Sequence, residues 1–203
     1  LAQRRLGEKM YFIVPDQMSF EMERRIATDE RIAGLVRLEV MSLRRFAFHI
    51  LRDYGNQTIP FLDETGTQLL LRQVVEESED ELKIFKRTKN MPGFFQGLDE
   101  LIASFKRSLI EPDMLRQVSD RSLERSSKLN DLALIYDRFT ERIVDKALHA
   151  DDYYTTLLEL LPKARLDQAT IIVDGFYEFS LQEQQVLLAL MQQVAEMHIS
   201  FTM

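Results

Sequence analysis

Thr170-Ile171-Ile172-Val173-Asp174-Gly175-Phe176 is an apolar run that closes on a carboxylate and a glycine. Its apolar residues are consecutive rather than alternate, as a strand covered on both faces requires. Met10-Tyr11-Phe12-Ile13-Val14 has the same character. Leu35-Val36-Arg37-Leu38-Glu39-Val40 and His198-Ile199-Ser200-Phe201 add two further runs of strand composition. Helical stretches over about 17–29, 42–54 and 181–196 follow the first, second and third of these strands in chain order. Strand-helix alternation of this kind predicts an α/β fold on a parallel sheet with right-handed crossovers.

From Pro60 to about Leu166 the pattern changes to amphipathic helix with no strand. The longest stretch, Ser122 to His149, repeats Leu129, Leu132, Tyr136, Phe139, Ile143 and Ala147 at spacings of three and four. Glu64–Glu77, Phe94–Leu109 and Asp152–Leu161 also fit helices, with breaks at Pro60, Met91-Pro92-Gly93, Glu111-Pro112 and Pro162. The predicted organisation is an α/β subdomain from residues 1–60 and 166–203, interrupted by an all-helical insertion over 61–165.

Composition narrows the function classes. The 203 residues are 45% hydrophobic, with only seven Gly and five Pro, which excludes disordered and fibrous chains. No run of about 18 apolar residues is present, so no membrane span is expected. Leu1-Ala2-Gln3-Arg4-Arg5 lacks an apolar signal core, and the absence of Cys removes disulfides and thiolate chemistry, so a cytoplasmic setting is expected and the sequon Asn56-Gln57-Thr58 carries no weight. Leu1 falls within an apparent helix, which reads as a piece of a longer chain. The net charge of −7 argues against a wholly basic nucleic-acid surface. The charge is uneven, however. Residues 1–60 carry ten Lys and Arg against eight Asp and Glu, including the pairs Arg4-Arg5, Arg24-Arg25 and Arg44-Arg45; the remainder is strongly acidic.

Three places carry candidate chemistry. An apolar strand ending in Asp174 is how nucleotide-binding α/β proteins present a carboxylate to Mg²⁺; it is also how a strand ends in an ordinary turn or cap residue. A hydrolase of that type carries Glu at the next position, and Gly175 there predicts a poor or inert one. In the helix after Ser42, Leu43, Phe46, Ala47, Ile50 and Tyr54 share a core face, while Arg45, Phe48, His49 and Arg52 gather opposite. Cations around an aromatic suit single-stranded nucleic acid, and suit a solvated face equally. Val14-Pro15-Asp16-Gln17-Met18-Ser19 places Ser19 at a helix start, where it or Asp16 either caps the helix or meets a phosphate. Asp151-Asp152 reads as a helix cap, and the nine Met as core filler. The GxxxxGK[ST] phosphate loop and the HExxH, CxxC, GxSxG and GxGxxG signatures are absent.

Three collinear segments carry a family resemblance. Val14-Pro15-Asp16-Gln17-Met18-Ser19-Phe20-Glu21-Met22-Glu23, Val40-Met41-Ser42-Leu43-Arg44-Arg45-Phe46-Ala47-Phe48 and Val173-Asp174-Gly175-Phe176-Tyr177-Glu178-Phe179 resemble the N-terminal part of the B subunit of bacterial ATP-dependent helicase/deoxyribonucleases (AddB type). Pro60-Phe61-Leu62, Phe105-Lys106-Arg107 and His149-Ala150-Asp151-Asp152-Tyr153 agree, so the likeness covers essentially the whole chain. The resemblance implies a superfamily 1 helicase-like module whose α/β subdomain is split by a helical one. It implies a heterodimer with an A subunit that carries the motor, and a role in double-strand break repair by homologous recombination through recognition of the Chi signal in single-stranded DNA. By position it assigns DNA contact to Ser19, Arg45, Phe48 and Phe176, and the Walker B-type aspartate of an Mg²⁺-ATP site to Asp174. ATP, Mg²⁺ and a 4Fe-4S cluster belong to the parent subunit, which resembles a 5′–3′ deoxyribonuclease and helicase component. This stretch is expected to lack catalytic residues and bound cofactors, its phosphate loop lying upstream and its nuclease domain downstream. Two alternatives stay open: an active superfamily 1 helicase ATPase cut at its phosphate loop, and a docking module for the A subunit.

Overall fold

The computed structural model describes residues 9–29, 38–55, 60–120, 126–144, 147 and 149–201. In chain order the elements are β1 (Met10–Ile13), α1 (Ser19–Ala27), β2 (Leu38–Met41), α2 (Leu43–Tyr54), α3 (Glu64–Glu77), α4 (Phe85–Thr88), α5 (Phe94–Arg107), α6 (Pro112–Asp120), α7 (Ser126–Ile143), α8 (Tyr153–Leu160), β3 (Thr170–Phe176), α9 (Leu181–Gln193) and β4 (Glu196–Phe201). Short 3-10 turns lie at Asp16–Met18, Ala150–Asp152 and Leu161–Lys163. The expected strand starts Leu35, Val36 and Arg37, the basic pair Arg4-Arg5, the sequon Asn56-Gln57-Thr58, and Ser122 and Leu148 of the long helical stretch lie outside the described residues. The chain divides into two units, one formed by residues 1–57 and 153–203 and the other by 58–152.

In the first unit four parallel strands run in the order β2-β1-β3-β4. Met10 sits opposite Leu38 on one side and Thr170 on the other, so β1 is internal. The fold class is therefore α/β on a parallel four-stranded sheet. Burial along β1 alternates: Tyr11 and Ile13 are buried, Met10 and Phe12 half-buried. One face of that strand is thus sealed and the other partly covered, where the sequence pattern led us to expect two sealed faces. On the sealed side Tyr11 meets Phe46 of α2 edge-on, with ring centroids 5.0 Å apart. Burial raises the Tyr11 phenol to about 12.

α2 begins where the Ser42 hydroxyl accepts a hydrogen bond from the Arg45 N–H at 3.3 Å, a cap of about 1 kcal/mol. It buries Leu43, Phe46, Ala47, Ile50 and Leu51. Tyr54, expected on that stripe, is 39% exposed, because in the last turn its phenol points outward and accepts the Arg165 N–H. α9 starts with a reciprocal cap: Ser180 Oγ accepts the Glu183 N–H while Glu183 Oε2 accepts the Ser180 N–H. α8 packs against α2 and α9 and so belongs with the sheet, whereas helical periodicity alone assigned it to the helical stretch.

The second unit closes α3, α5, α6 and α7 around Leu71, Val74, Ile102, Ile135 and Phe139. Glu111-Pro112, read as a break, is the start of α6; Pro is tolerated there because a first-turn N–H has no intrahelical partner. The one-turn α4 is held by a carboxylate distant in sequence. Asp131 of α7 is buried and accepts the backbone N–H groups of Lys83, Ile84 and Phe85 at 2.7–3.1 Å. Among the described residues no helix is long and apolar enough to cross a membrane.

Candidate nucleic-acid interface

The order of the strands makes a place for a ligand. The chain moves from β1 outward to β2, then returns to the other side of β1 for β3 and β4. The direction of winding therefore reverses between β1 and β3, and a crevice opens outside the carboxyl ends of strands at such a reversal. The β1 end continues into Pro15 and the 3-10 turn Asp16–Met18, and the β3 end carries Asp174, Gly175 and Phe176. These two turns touch. Gly175 adopts φ +82°, and a Cβ there would stand 3.2 Å from Met18 Sδ and 3.4 Å from Pro15 Cδ. The β3–β4 register breaks between Val173 and Phe176 at the same place. The missing glutamate after Asp174 thus has a backbone cause: the bulge needs left-handed φ and the neighbouring turn needs the space.

Ser19 opens α1 but does not cap it. Its hydroxyl donates to the Asp16 carbonyl at 2.9 Å, the cap position is Met18, and no side chain caps that end. The expectation that Asp16 or Ser19 caps this helix is corrected accordingly: the 3-10 turn supplies the entry geometry instead, with the Met18 N–H donating to the Pro15 carbonyl at 2.9 Å. Phe176 stacks on Phe179, with centroids 4.8 Å apart and planes at 29°. Asp174 is half-buried. Among the described residues no three His, Cys, Asp or Glu side chains converge to hold a metal, so Asp174 is a lone carboxylate and does not by itself make a metal site.

The remaining candidates lie on α2. Arg44, Arg45, Phe48, His49 and Arg52, with Met41 from β2 and Tyr153 from α8, line a groove of 530 Å³. Phe48 is 44% exposed. The basic side chains differ in one respect that composition cannot reveal. Arg44 Nε lies 3.9 Å from Asp16, His49 Nδ1 lies 3.5 Å from Glu39, and Arg52 Nε donates to Asp53 at 2.8 Å. The bond from Arg52 holds the Asp53 carboxyl below the usual carboxylate range. Among the described residues Arg45 alone of the groove's cations has no carboxylate within ion-pair distance.

The structure therefore gathers Arg45 with Phe48 in one groove, and the Ser19 turn with the Phe176 strand end at the crevice. Neither Ser19 nor Phe176 lines the groove. The Asp16–Arg44 pair joins the two places. Sequence reasoning passed over Arg44 and Tyr153 as site residues. Arg44 was legible, since it precedes Phe48 by four on a helix; Tyr153 comes from a distant helix, and no periodicity links it to α2. It also missed Phe20 and Tyr177, 77% and 82% exposed, which flank Ser19 and Phe176. Asp151-Asp152, expected to cap a helix, forms a 3-10 turn within the second unit. There Asp152 pairs with the buried Lys106, and Asp151 accepts from Arg107 at 3.0 Å. Of the remaining histidines, His149 is buried with Nε2 3.0 Å from Asp99, and His198 is exposed beside Glu196.

The family model described as ADDB, N-terminal matches residues 1–203. The chain is 78% identical over its full length to the B subunit of the ATP-dependent helicase/deoxyribonuclease of Exiguobacterium sibiricum, of which it covers 18%. It is 37% identical to the protein of the same name from Bacillus subtilis, with 97% of the chain and 18% of that protein aligned. It is 34% identical to that of Bacillus velezensis, with 100% and 18% aligned. The chain thus spans less than a fifth of the length of these curated relatives. A family match from end to end, and relatives that share one name over 97% or more of the chain, show that it belongs to the ADDB, N-terminal family.

Proposed function

We propose that this chain is the helicase-like, non-motor part of the B subunit of an ATP-dependent helicase/exonuclease that acts in double-strand break repair by homologous recombination. In this reading it holds single-stranded DNA, recognises Chi within it, and works in a heterodimer with an A subunit that supplies the motor. The observation that carries the reading is the α2 groove, where Arg45, a guanidinium with no ion pair among the described residues, stands beside the half-exposed ring of Phe48. A guanidinium on phosphate and a ring on a base are the two contacts that grip a single strand. The two exposed aromatics Phe20, in the first turn of α1, and Tyr177, just after β3, support the same reading beside Ser19 and Phe176.

Asp174 is assigned the Mg²⁺-ATP side of the parent subunit, where other ligands have to come from elsewhere in the longer protein. Cysteines for a 4Fe-4S cluster have to come from elsewhere too, because this chain has none. Gly175, fixed by φ +82°, favours recognition over hydrolysis at this strand end. The test is made in the intact complex. Arg45→Ala and Phe48→Ala are expected to reduce the response to Chi by roughly tenfold or more while unwinding continues, in line with about 1–3 kcal/mol for a base stack. Equal loss of both activities refutes the reading and makes α2 a structural support.

A further inference from the structure

The α2 groove has one lining residue that comes from neither β2 nor α2. Tyr153 is the first residue of α8, the helix packed on α2. Along α2, Arg44, Phe48 and Arg52 recur every four residues and form one stripe. Tyr153 lines the groove with Arg44 and is half-buried; burial pushes its phenol pKa up, against the opposing pull of Arg44, so the phenol stays neutral. A ring partly sunk into a helix packing surface is already oriented, so little freedom is lost when it meets a flat ligand. The groove therefore offers one aromatic from α2 and a second from α8, with guanidinium groups alongside. Its 530 Å³ falls within the roughly 300–1,000 Å³ of pockets that enclose small ligands.

We propose that Tyr153 is a base-contacting residue, so that an unpaired base is gripped by Phe48 and Tyr153 from two helices while Arg45 takes the phosphate. The proposal rests on the groove being a single-strand site. Its ligand class is a single-stranded nucleic acid, because only unpaired bases offer free faces to side-chain rings. A neutral phenol can offer a phosphate no more than a hydrogen bond through its hydroxyl, whereas its ring offers a base a face to stack on, and Tyr153→Phe separates the two.

The experiment measures binding of a labelled oligodeoxythymidine by the full-length subunit in complex with its partner, over a range of salt concentrations. Tyr153→Ala is expected to weaken binding roughly ten- to hundredfold, the effect of losing one base–aromatic stack. The slope of log K against log salt stays unchanged, because a neutral ring releases no counterions. Tyr153→Phe keeps the ring and stays within about twofold of wild type. Tyr153→Leu keeps apolar bulk against α2 without a ring, and loses affinity while amide protection of α8 is retained. Wild-type affinity in Tyr153→Ala or Tyr153→Leu overturns the proposal. Equal losses in Tyr153→Phe and Tyr153→Ala overturn it as well, since the hydroxyl is then the active group, and so does a lowered salt slope. Failure of the single-strand reading itself shows separately: Arg45→Ala then leaves affinity unchanged and fails to lower the salt slope by about 0.7.

Discussion

Replacing Gly175 tests whether the strand end is built for recognition or merely lacks a catalytic side chain. At φ +82° an L-residue pays roughly 1–2 kcal/mol for left-handed backbone. An added Cβ also presses on Met18 Sδ at 3.2 Å, the flexible end of a side chain, and lies at ordinary contact distance from Pro15 Cδ. The contact therefore adds only a few tenths of a kcal/mol, and Gly175→Ala is expected to cost about 2 kcal/mol in total. Hydrogen exchange of β3 and the 15–18 turn in the full-length subunit reads this locally, as a roughly thirtyfold rise in amide opening. Asn enters the left-handed region more readily, so Gly175→Asn should lose clearly less than Gly175→Ala. Gly175→Glu should lose at least as much as Ala and gain no DNA-stimulated ATP turnover when the partner's motor is inactivated. Unchanged protection in Gly175→Ala refutes the backbone argument. Equal losses in Asn and Ala transfer the cause to the Met18 and Pro15 contacts. Turnover gained by Gly175→Glu shows that the strand end merely lacks a catalytic side chain and refutes the argument that it is built for recognition.

Two further expectations concern stability. Asp131→Ala removes the buried acceptor shared by the N–H groups of Lys83, Ile84 and Phe85, of which the Phe85 bond is buried and the other two part-buried; a loss of about 2–3 kcal/mol in the local opening free energy of α4 is expected, with Asp131→Asn intermediate because its amide turns a donor toward one of those N–H groups. Equal protection in wild type and Asp131→Ala would show that water replaces the carboxylate. The second concerns alkaline pH. Tyr11 is held neutral up to about 12 against about 10 in an unfolded chain, so the folded state keeps a proton that the unfolded state releases. Stability contributed by Tyr11 is therefore complete below pH 10 and falls from pH 10 to 12, by on the order of 2–3 kcal/mol. Tyr136 and Tyr154, also raised by burial, act in the same direction. Denaturation of Tyr11→Phe should show a shallower decline over that window; an unchanged slope sinks the assignment.

The elements that were legible share one property: their stabilisation is local or strictly periodic. β1, β3 and α2 announce themselves because apolar runs, a Ser cap and a 3.6-residue stripe are written within a dozen residues. α3 was bounded to the residue by its periodicity, and the structure adds Asp63 as its cap, accepting the Gly66 N–H. α4 was not legible, because a four-residue helix lies below what periodicity can register and its support, Asp131, is 46 residues or more away. α6 was hidden by treating Pro112 as a stop. The assignment of α8 to the sheet unit depends on which neighbours its apolar face finds, and no local pattern states that. The candidate site divides along the same line. Arg45 and Phe48 were found because one helix carries both. Their companion Tyr153 was not, because it reaches the groove only through tertiary packing.

Net charge is the least informative quantity about this surface. A chain at −7 does not look like a partner for a polyanion, and the slightly basic balance of residues 1–60 is only a weak correction. What separates the groove cations is the geometry of their carboxylates. Asp16, Glu39 and Asp53 each lie beside one of them, and Arg45 is left over among the described residues. A surface pair of this kind is worth about 1 kcal/mol or less, so salt or a competing phosphate displaces it readily. If the groove holds DNA as proposed, Arg44 and Arg52 form a reserve, released when phosphate outcompetes Asp16 or Asp53, whereas Arg45 has no such partner among the described residues. In the proposed function Arg45 would set the affinity of first encounter, and its paired neighbours would contribute once a strand has docked. The proposed function thus asks of an overall acidic chain one cation without an ion pair among the described residues and two aromatic rings, rather than a high net positive charge.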